Sequence, residues 1–198
     1  KDKNELLRDA RPCDIAVLCR SNDNCAEISS YLEDEGMSVA IQQGGLLSRP
    51  ESALLTAAIR YLIFKNDSLS LIEMVLLSDG RDNVEELIDD RLKLIEEEKE
   101  SEYCQDHWLV KRINELRGKC EDFSPLEIVN HLLVKLELKR IVTQMGDGKK
   151  RWNNLLEFRN AATTYEESCH KLKLGASIGG FLLWLGDRDK EELLMQSS

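Results

Sequence analysis

The sequence predicts a mainly α-helical fold with a small α/β portion at its N-terminal end. Three observations lead there. A continuously apolar run, Ile15-Ala16-Val17-Leu18-Cys19, is followed by a helical pattern and then by a second short run, Ser38-Val39-Ala40-Ile41. Beyond Asn66-Asp67 the apolar residues recur at three- and four-residue spacing, the period of helices with one buried face. Ser124-Pro125-Leu126-Glu127 has the serine, first-turn proline and third-position glutamate of a helix capping box.

Taken in order, Ile15 to Cys19 follows Pro12 and reads as a strand buried on both faces of a parallel sheet. A helix is expected over residues 24–35, with Ala26, Ile28, Tyr31 and Leu32 on its apolar side and Gly36 as its stop. Ser38 to Ile41 completes a strand-helix-strand unit of the kind found in doubly wound sheets. Gly44-Gly45 breaks the chain, and Pro50 opens a helix through Leu54, Leu55, Ala58, Ile59 and Leu62. These elements supply too few strands for a complete nucleotide-binding domain. The expected division is an α/β portion over 1–65 and a helical body over 66–198.

Within the helical body, Leu69, Ile72, Val75 and Leu76 share one face, and Leu87, Leu92, Leu94 and Ile95 approximately another. The capping box starts a helix through Ile128, Leu132, Leu133 and Leu136. The polar loop Gly146-Asp147-Gly148-Lys149-Lys150 precedes a long helix over about 151–172, and Gly175-Ala176-Ser177 precedes a last one through Phe181, Leu182, Trp184 and Leu185.

With 198 residues, 42% of them hydrophobic, the chain can bury a sizeable core. It has no apolar run of about 18 residues for a membrane span, and its start, Lys1-Asp2-Lys3-Asn4-Glu5, lacks the apolar stretch of a signal peptide. No membrane partner and a cytoplasmic location are therefore expected. The six cysteines have no pair at the two-residue spacing of zinc knuckles or redox sites. They read as reduced, small side chains, and no metal site is expected. A net charge of −10 argues against a free-standing nucleic-acid binder. The acid is concentrated in residues 82–102, whereas Lys135, Lys139, Arg140, Lys149, Lys150, Arg151 and Arg159 fall within 135–160.

Few residues point to chemistry. Gly146-x-Gly148-Lys149-Lys150 lacks the spacing and the preceding buried strand of a phosphate loop. His107, His131 and His170 have no nucleophile at a recognisable spacing, and Asp89-Asp90 and Glu96-Glu97-Glu98 read as a solvated helix face. Arg20 differs, because it directly follows the apolar run, at the edge where open α/β sheets place their ligands. Its planar guanidinium suits a phosphate that gains charge during transfer; the commoner role for an arginine there is a surface ion pair.

Asp14-Ile15-Ala16-Val17-Leu18-Cys19-Arg20-Ser21-Asn22 resembles motif IV of UvrD/RecB-type superfamily-one helicases, an apolar strand ending in arginine-serine-asparagine. Glu27, Leu32, Gly36 and Val39 match the helix and strand that follow it in the family. Gly44-Gly45-Leu46-Leu47-Ser48-Arg49-Pro50-Glu51 resembles motif IVa, leading into an apolar helix. Arg151-Trp152-Asn153-Asn154-Leu155-Leu156-Glu157 resembles the arginine, asparagine-leucine and glutamate pattern inside the inserted 2B subdomain, and Ser177 to Leu185 the segment that closes that insertion. Order and spacing agree over nearly the whole chain.

The resemblance implies a fragment of an ATP-dependent DNA helicase or translocase, acting in repair or recombination. It implies the edge of a RecA-like second motor domain over 1–65 and a 2B-like helical subdomain over 66–198. Arg20 then contacts the ATP γ-phosphate in the intact motor. Many UvrD-like members carry an adenine-stacking aromatic before that arginine; Cys19 stands here, as an aliphatic residue often does in RecB-like and AddA-like members. Ser48 and Arg49 are the local candidates for a single-strand contact, and Lys149, Lys150 and Arg151 for a backbone contact by the helical subdomain. For Arg49 an ion pair at a helix N-terminus remains the open alternative. Walker A, Walker B, motif V and motif VI are missing from the chain, so the resemblance places them before Lys1 and after Ser198 of a longer parent. ATP and Mg²⁺ are cofactors of that parent, none being expected for the fragment, which is expected to be inactive alone. Partners are DNA, single-stranded and at duplex junctions, with a nuclease or partner subunit compatible with the slight lean toward the RecB/AddA side. A reading from another class is a non-catalytic interaction module working through the acidic helix 82–102.

Overall fold

A computed structural model describes residues 11, 14–20, 22–37, 39, 45–79, 84–99 and 103–196, with the backbone alone described at 22, 23, 26, 84, 86 and 191–196. Nine α-helices are present among the described residues. The chain forms two compact units, Lys1–Gln43 and Gly44–Ser198.

The first unit contains helix α1, Asn22–Asp34. Its end follows the expected signal. Gly36 has φ +79, its N–H donates to Glu33 O at 2.9 Å and that of Met37 to Leu32 O at 2.9 Å, the paired closure of a helix that ends in a left-handed glycine. The strand expected at Ile15 to Cys19 is not formed: these residues carry no regular structure, and Leu18 is 96% exposed. The physical reason is that a strand exists only through ladder bonds to a neighbour, and no strand occurs among the described residues. The second expected strand, Ser38 to Ile41, falls outside the described residues except for Val39, so the strand-helix-strand edge is not seen. Ile28 and Tyr31, expected on a buried face of α1, are exposed.

The second unit is built around α2, Pro50–Ile63. Arg49 is its N-cap and Pro50 fills the first helical position, where a missing N–H costs nothing. Leu54, Leu55, Ala57, Ala58, Ile59 and Tyr61 are all but fully buried, and a helix apolar on nearly every side belongs inside a core. Helices α3 (Ser68–Asp79), α5 (Trp108–Leu116), α6 (Pro125–Lys135) and α8 (Gly148–Lys171) surround it. Burying each such leucine or isoleucine contributes about 1.5–3 kcal/mol, so α2 is the main anchor of the unit. The boundary expected near residue 65 therefore lies inside this unit, because α2 packs on the helices that follow it.

Local signals set most helix ends. The capping box forms as expected: the Glu127 N–H donates to Ser124 Oγ at 3.3 Å, and the Ser124 N–H to Glu127 Oε2 at 2.8 Å. Asp67 caps α3, accepting from the Ser70 N–H at 3.0 Å and the Ser70 hydroxyl at 2.7 Å. Burial opposes ionisation of Asp67, yet these two bonds hold its carboxyl below the ordinary range. At the other end of α2, Arg117 donates to the carbonyls of Tyr61 and Leu62, filling acceptors that a helix C-terminus leaves open.

Helix α4, Val84–Glu96, buries Leu87, whose carbonyl accepts from the Tyr103 hydroxyl at 2.8 Å. Ile88, Leu92 and Ile95 are exposed, so the expected apolar face is only partly covered. Helix α7, Leu138–Gln144, packs on α8. Gly148 begins α8 where a Cβ would come within 2.8 Å of Thr143 Cα, so this glycine serves close helix packing. The last helix, α9 (Ile178–Gln196), is capped by Ser177, whose hydroxyl accepts from the Gly180 N–H at 3.1 Å. It meets α8 through Phe158, Tyr165, Phe181 and Trp184; the Phe158 and Phe181 rings stand edge to face at 5.6 Å, a favourable quadrupole arrangement.

Candidate functional site

The turn before α2 collects residues from three distant parts of the sequence. Leu46–Ser48 form one turn of 3₁₀-helix, packed against α2, α8 and α9. Asp189 of α9, nearly buried, points its carboxylate at this turn and accepts from the Leu47 N–H at 3.1 Å. A Cβ on Gly45 would stand 2.1 Å from Asp189 Oδ1, so only glycine lets the carboxylate approach.

One turn further on, Glu51 is 1% exposed. A buried carboxylate needs partners, and α8 provides them: Arg151 Nη1 donates to Glu51 Oε2 at 2.6 Å, and Asn154 Nδ2 to Glu51 Oε1. Asn154 Oδ1 in turn accepts from Arg49 Nη1 at 3.0 Å, and the same Arg49 nitrogen donates to Glu157 Oε2 at 2.7 Å. Arg151 Nε also donates to the Gly146 carbonyl at 3.0 Å. Asn154 thus joins Glu51 and Arg49 in one chain of charge-assisted bonds, the strongest class of protein hydrogen bond.

The sequence candidates fall into three places. Arg49 and Arg151 belong to this network, which gives Arg49 the ion pair that stood as its alternative role. Ser48 is exposed at the same turn, its hydroxyl donating to Gly45 O at 2.7 Å. Lys149 and Lys150 lie in the first turn of α8, exposed and without an ion pair among the described residues. Arg20 belongs to the first unit; it too is exposed and has no ion pair among the described residues. Beside it, a hydrogen bond with Cys25, then burial, pushes the Cys19 thiol up.

Glu51, Asn154 and Asp189 were not singled out as site residues in the sequence. Glu51 had a readable signal, an acid in the first turn of an otherwise apolar helix; Asp189 had none. Among the described residues no grouping of three His, Cys, Asp or Glu could hold a metal, and no helix is long and apolar enough to cross a membrane. Compared with protein-family models, with curated proteins and with solved structures, the chain matches none.

Proposed function

We propose that this chain is part of an ATP-driven DNA translocase of the UvrD/RecB kind, contributing one arginine to the ATP site and a helical subdomain beside the DNA path. One observation carries the reading. The segments at 45–51 and 151–157, which include residues that resemble the family's motif IVa and 2B patterns, are joined by polar bonds although they lie about a hundred residues apart in sequence, and Asp189, just beyond the segment that resembles the close of the insertion, accepts from the Leu47 N–H. An inserted subdomain must be fixed to the segment it interrupts, and a partly buried network anchored on the buried Glu51 carboxylate gives such a docking a defined register.

On this reading Arg20 reaches the γ-phosphate and stabilises charge as the phosphoryl group departs. Its exposure and its lack of an ion pair among the described residues suit that role. On this reading the Mg²⁺ and the other phosphate contacts belong to the longer parent, and this chain supplies the guanidinium. Ser48, Arg49, Lys149, Lys150 and Arg151 are the proposed DNA contacts. With Arg49 Nη1 shared between Asn154 and Glu157, Arg49 offers a strand only its remaining donors.

The test is biochemical. The coding sequence around this segment is read for a Walker A lysine upstream and a motif V segment downstream, and DNA-stimulated ATP hydrolysis of the longer product is compared with that of residues 1–198. Stimulated turnover by the longer protein alone supports the proposal. Its absence there, or equal turnover by the fragment, counts against it.

The alternative of an interaction module draws support from α4, where exposed Ile88, Leu92 and Ile95 follow helical spacing among Glu85, Asp89, Asp90 and Glu96. It predicts capture of a basic amphipathic helix, abolished when the three apolar residues become serine.

A further inference from the structure

Between α5 and α6 lies an open cleft of about 450 Å³, lined by Arg112, Glu115, Lys119, Phe123, His131 and Lys135 among others. Its size is that of a small-molecule site. One wall is aromatic: the His131 ring lies on Phe123, centroids 4.7 Å apart and planes inclined by 30°. One corner is rigid. Arg112 donates to the Lys135 carbonyl at 2.8 Å and to Glu137 Oε1 at 2.6 Å, and lies over the Trp108 ring at 4.9 Å. Arg140 donates to the other oxygen of Glu137 at 2.9 Å and covers the same ring at 5.1 Å.

Glu137 is thus shared by two arginines. Lys119 and Lys135 have no ion pair among the described residues, against the single further carboxylate, Glu115. The cleft therefore carries a positive excess in a chain of net charge −10. Gly118, at φ +83, makes the left-handed turn that brings Lys119 back beside the end of α5.

We infer that this cleft binds a nucleotide, its base against the His131 and Phe123 wall and its phosphate at Lys119 and Lys135. Aromatic faces accept any base by stacking, and ammonium groups accept phosphate without demanding one geometry. Glu115, an acceptor on the same lining, suits an exocyclic amine or sugar hydroxyls. The ligand is either a free nucleotide or one unit of a single strand. The inference stands on the cleft alone and does not depend on the motor reading.

The test uses residues 1–198 and the His131 imidazole proton resonance, assigned by its loss in His131→Asn. Adenosine monophosphate, adenosine, inorganic phosphate and a deoxyadenylate tetramer are titrated separately. Adenosine monophosphate is expected to shift the resonance saturably, at least about tenfold more tightly than adenosine or phosphate alone, since each lacks one half of the contacts. Lys119→Ala and Lys135→Ala, both at exposed positions, each weaken adenosine monophosphate by about tenfold and leave adenosine unchanged. Lys171→Ala, outside the cleft, has no effect. A tetramer that competes for the same resonance and binds more tightly than the monomer identifies a strand; a weaker tetramer identifies the free nucleotide; either supports the cleft. A His131 resonance unmoved by adenosine monophosphate, or lysine variants that bind it as the wild type does, overturns the inference.

Discussion

Replacing Gly45 by alanine tests the junction at its tightest point. Gly45 has φ −43, outside the left-handed region that favours glycine, so the effect is chiefly one of space. A methyl there would stand 2.1 Å from Asp189 Oδ1, 2.2 Å from Cγ and 2.4 Å from Oδ2. Comfortable contact is about 3.5–4.0 Å, so the carboxylate must retreat by more than about 1 Å and release the Leu47 N–H it holds at 3.1 Å. Losing a hydrogen bond to a charged acceptor costs about 1.5–3 kcal/mol, and overpacking about 1–3 kcal/mol. Because one movement of Asp189 relieves the second by accepting the first, we expect about 2–4 kcal/mol in all for Gly45→Ala. The control is Asp189→Ala, which removes the obstacle: in that background Gly45→Ala is expected to cost less than about 0.5 kcal/mol, a coupling of about 1.5 kcal/mol or more. Urea unfolding of the four proteins gives the cycle. Additive effects, or a harmless Gly45→Ala in the wild-type background, would refute the contact.

Other expectations follow from the same interactions. Glu51→Ala takes their acceptor from Arg151 and Asn154 and should destabilise by about 1.5–3 kcal/mol, read by urea unfolding, whereas Arg151→Met together with Glu51→Met recovers much of that loss. Ser124→Ala removes one half of the capping box and should cost about 1 kcal/mol by the same measurement. Glu137 is held below its ordinary range, first by its hydrogen bond from Arg112, against some desolvation, and then by the charges of Arg112 and Arg140; with Asp67 it favours the folded state when ionised. A depressed folded pKa gives stability that is present above the unfolded value and lost as pH falls through the folded one. Stability should therefore be level from neutral to about pH 5 and fall as pH drops through about 4, with a shallower fall in Glu137→Gln.

What could be read from the sequence was local. The glycine stop of α1, the proline that opens α2 and the capping box of α6 each work through neighbours within four residues, and each formed as expected. The run from Ile15 to Cys19 shows where this fails: its residues suit a buried strand, but a strand is defined by its partners, and none lies among the described residues. The boundary expected near residue 65 rested on a change of pattern along the chain, whereas the helices that bury α2 come mostly later in it. In the candidate site, Arg49 and Arg151 were legible as cations at helix N-termini. Their partners were not, because Glu157 and Glu51 are a hundred or more residues from the arginines they hold, and no local pattern encodes such a pairing. Asp189 matters only through its approach to Gly45, a relation between two helices that a linear reading cannot supply.

The motor reading is tested most directly at Arg20, by DNA-stimulated ATP turnover of the longer protein carrying Arg20→Ala or Arg20→Lys. A guanidinium that meets the γ-phosphate acts mainly on the departing phosphoryl group, so alanine should lower turnover by about 10³-fold or more while ATP binding weakens far less. Lysine should rescue little, because an ammonium lacks the forked, planar donors. Thermal melting checks that each variant is folded. A folded Arg20→Ala protein that turns over ATP at nearly the wild-type rate would contradict the account and return Arg20 to the ordinary role of a surface cation.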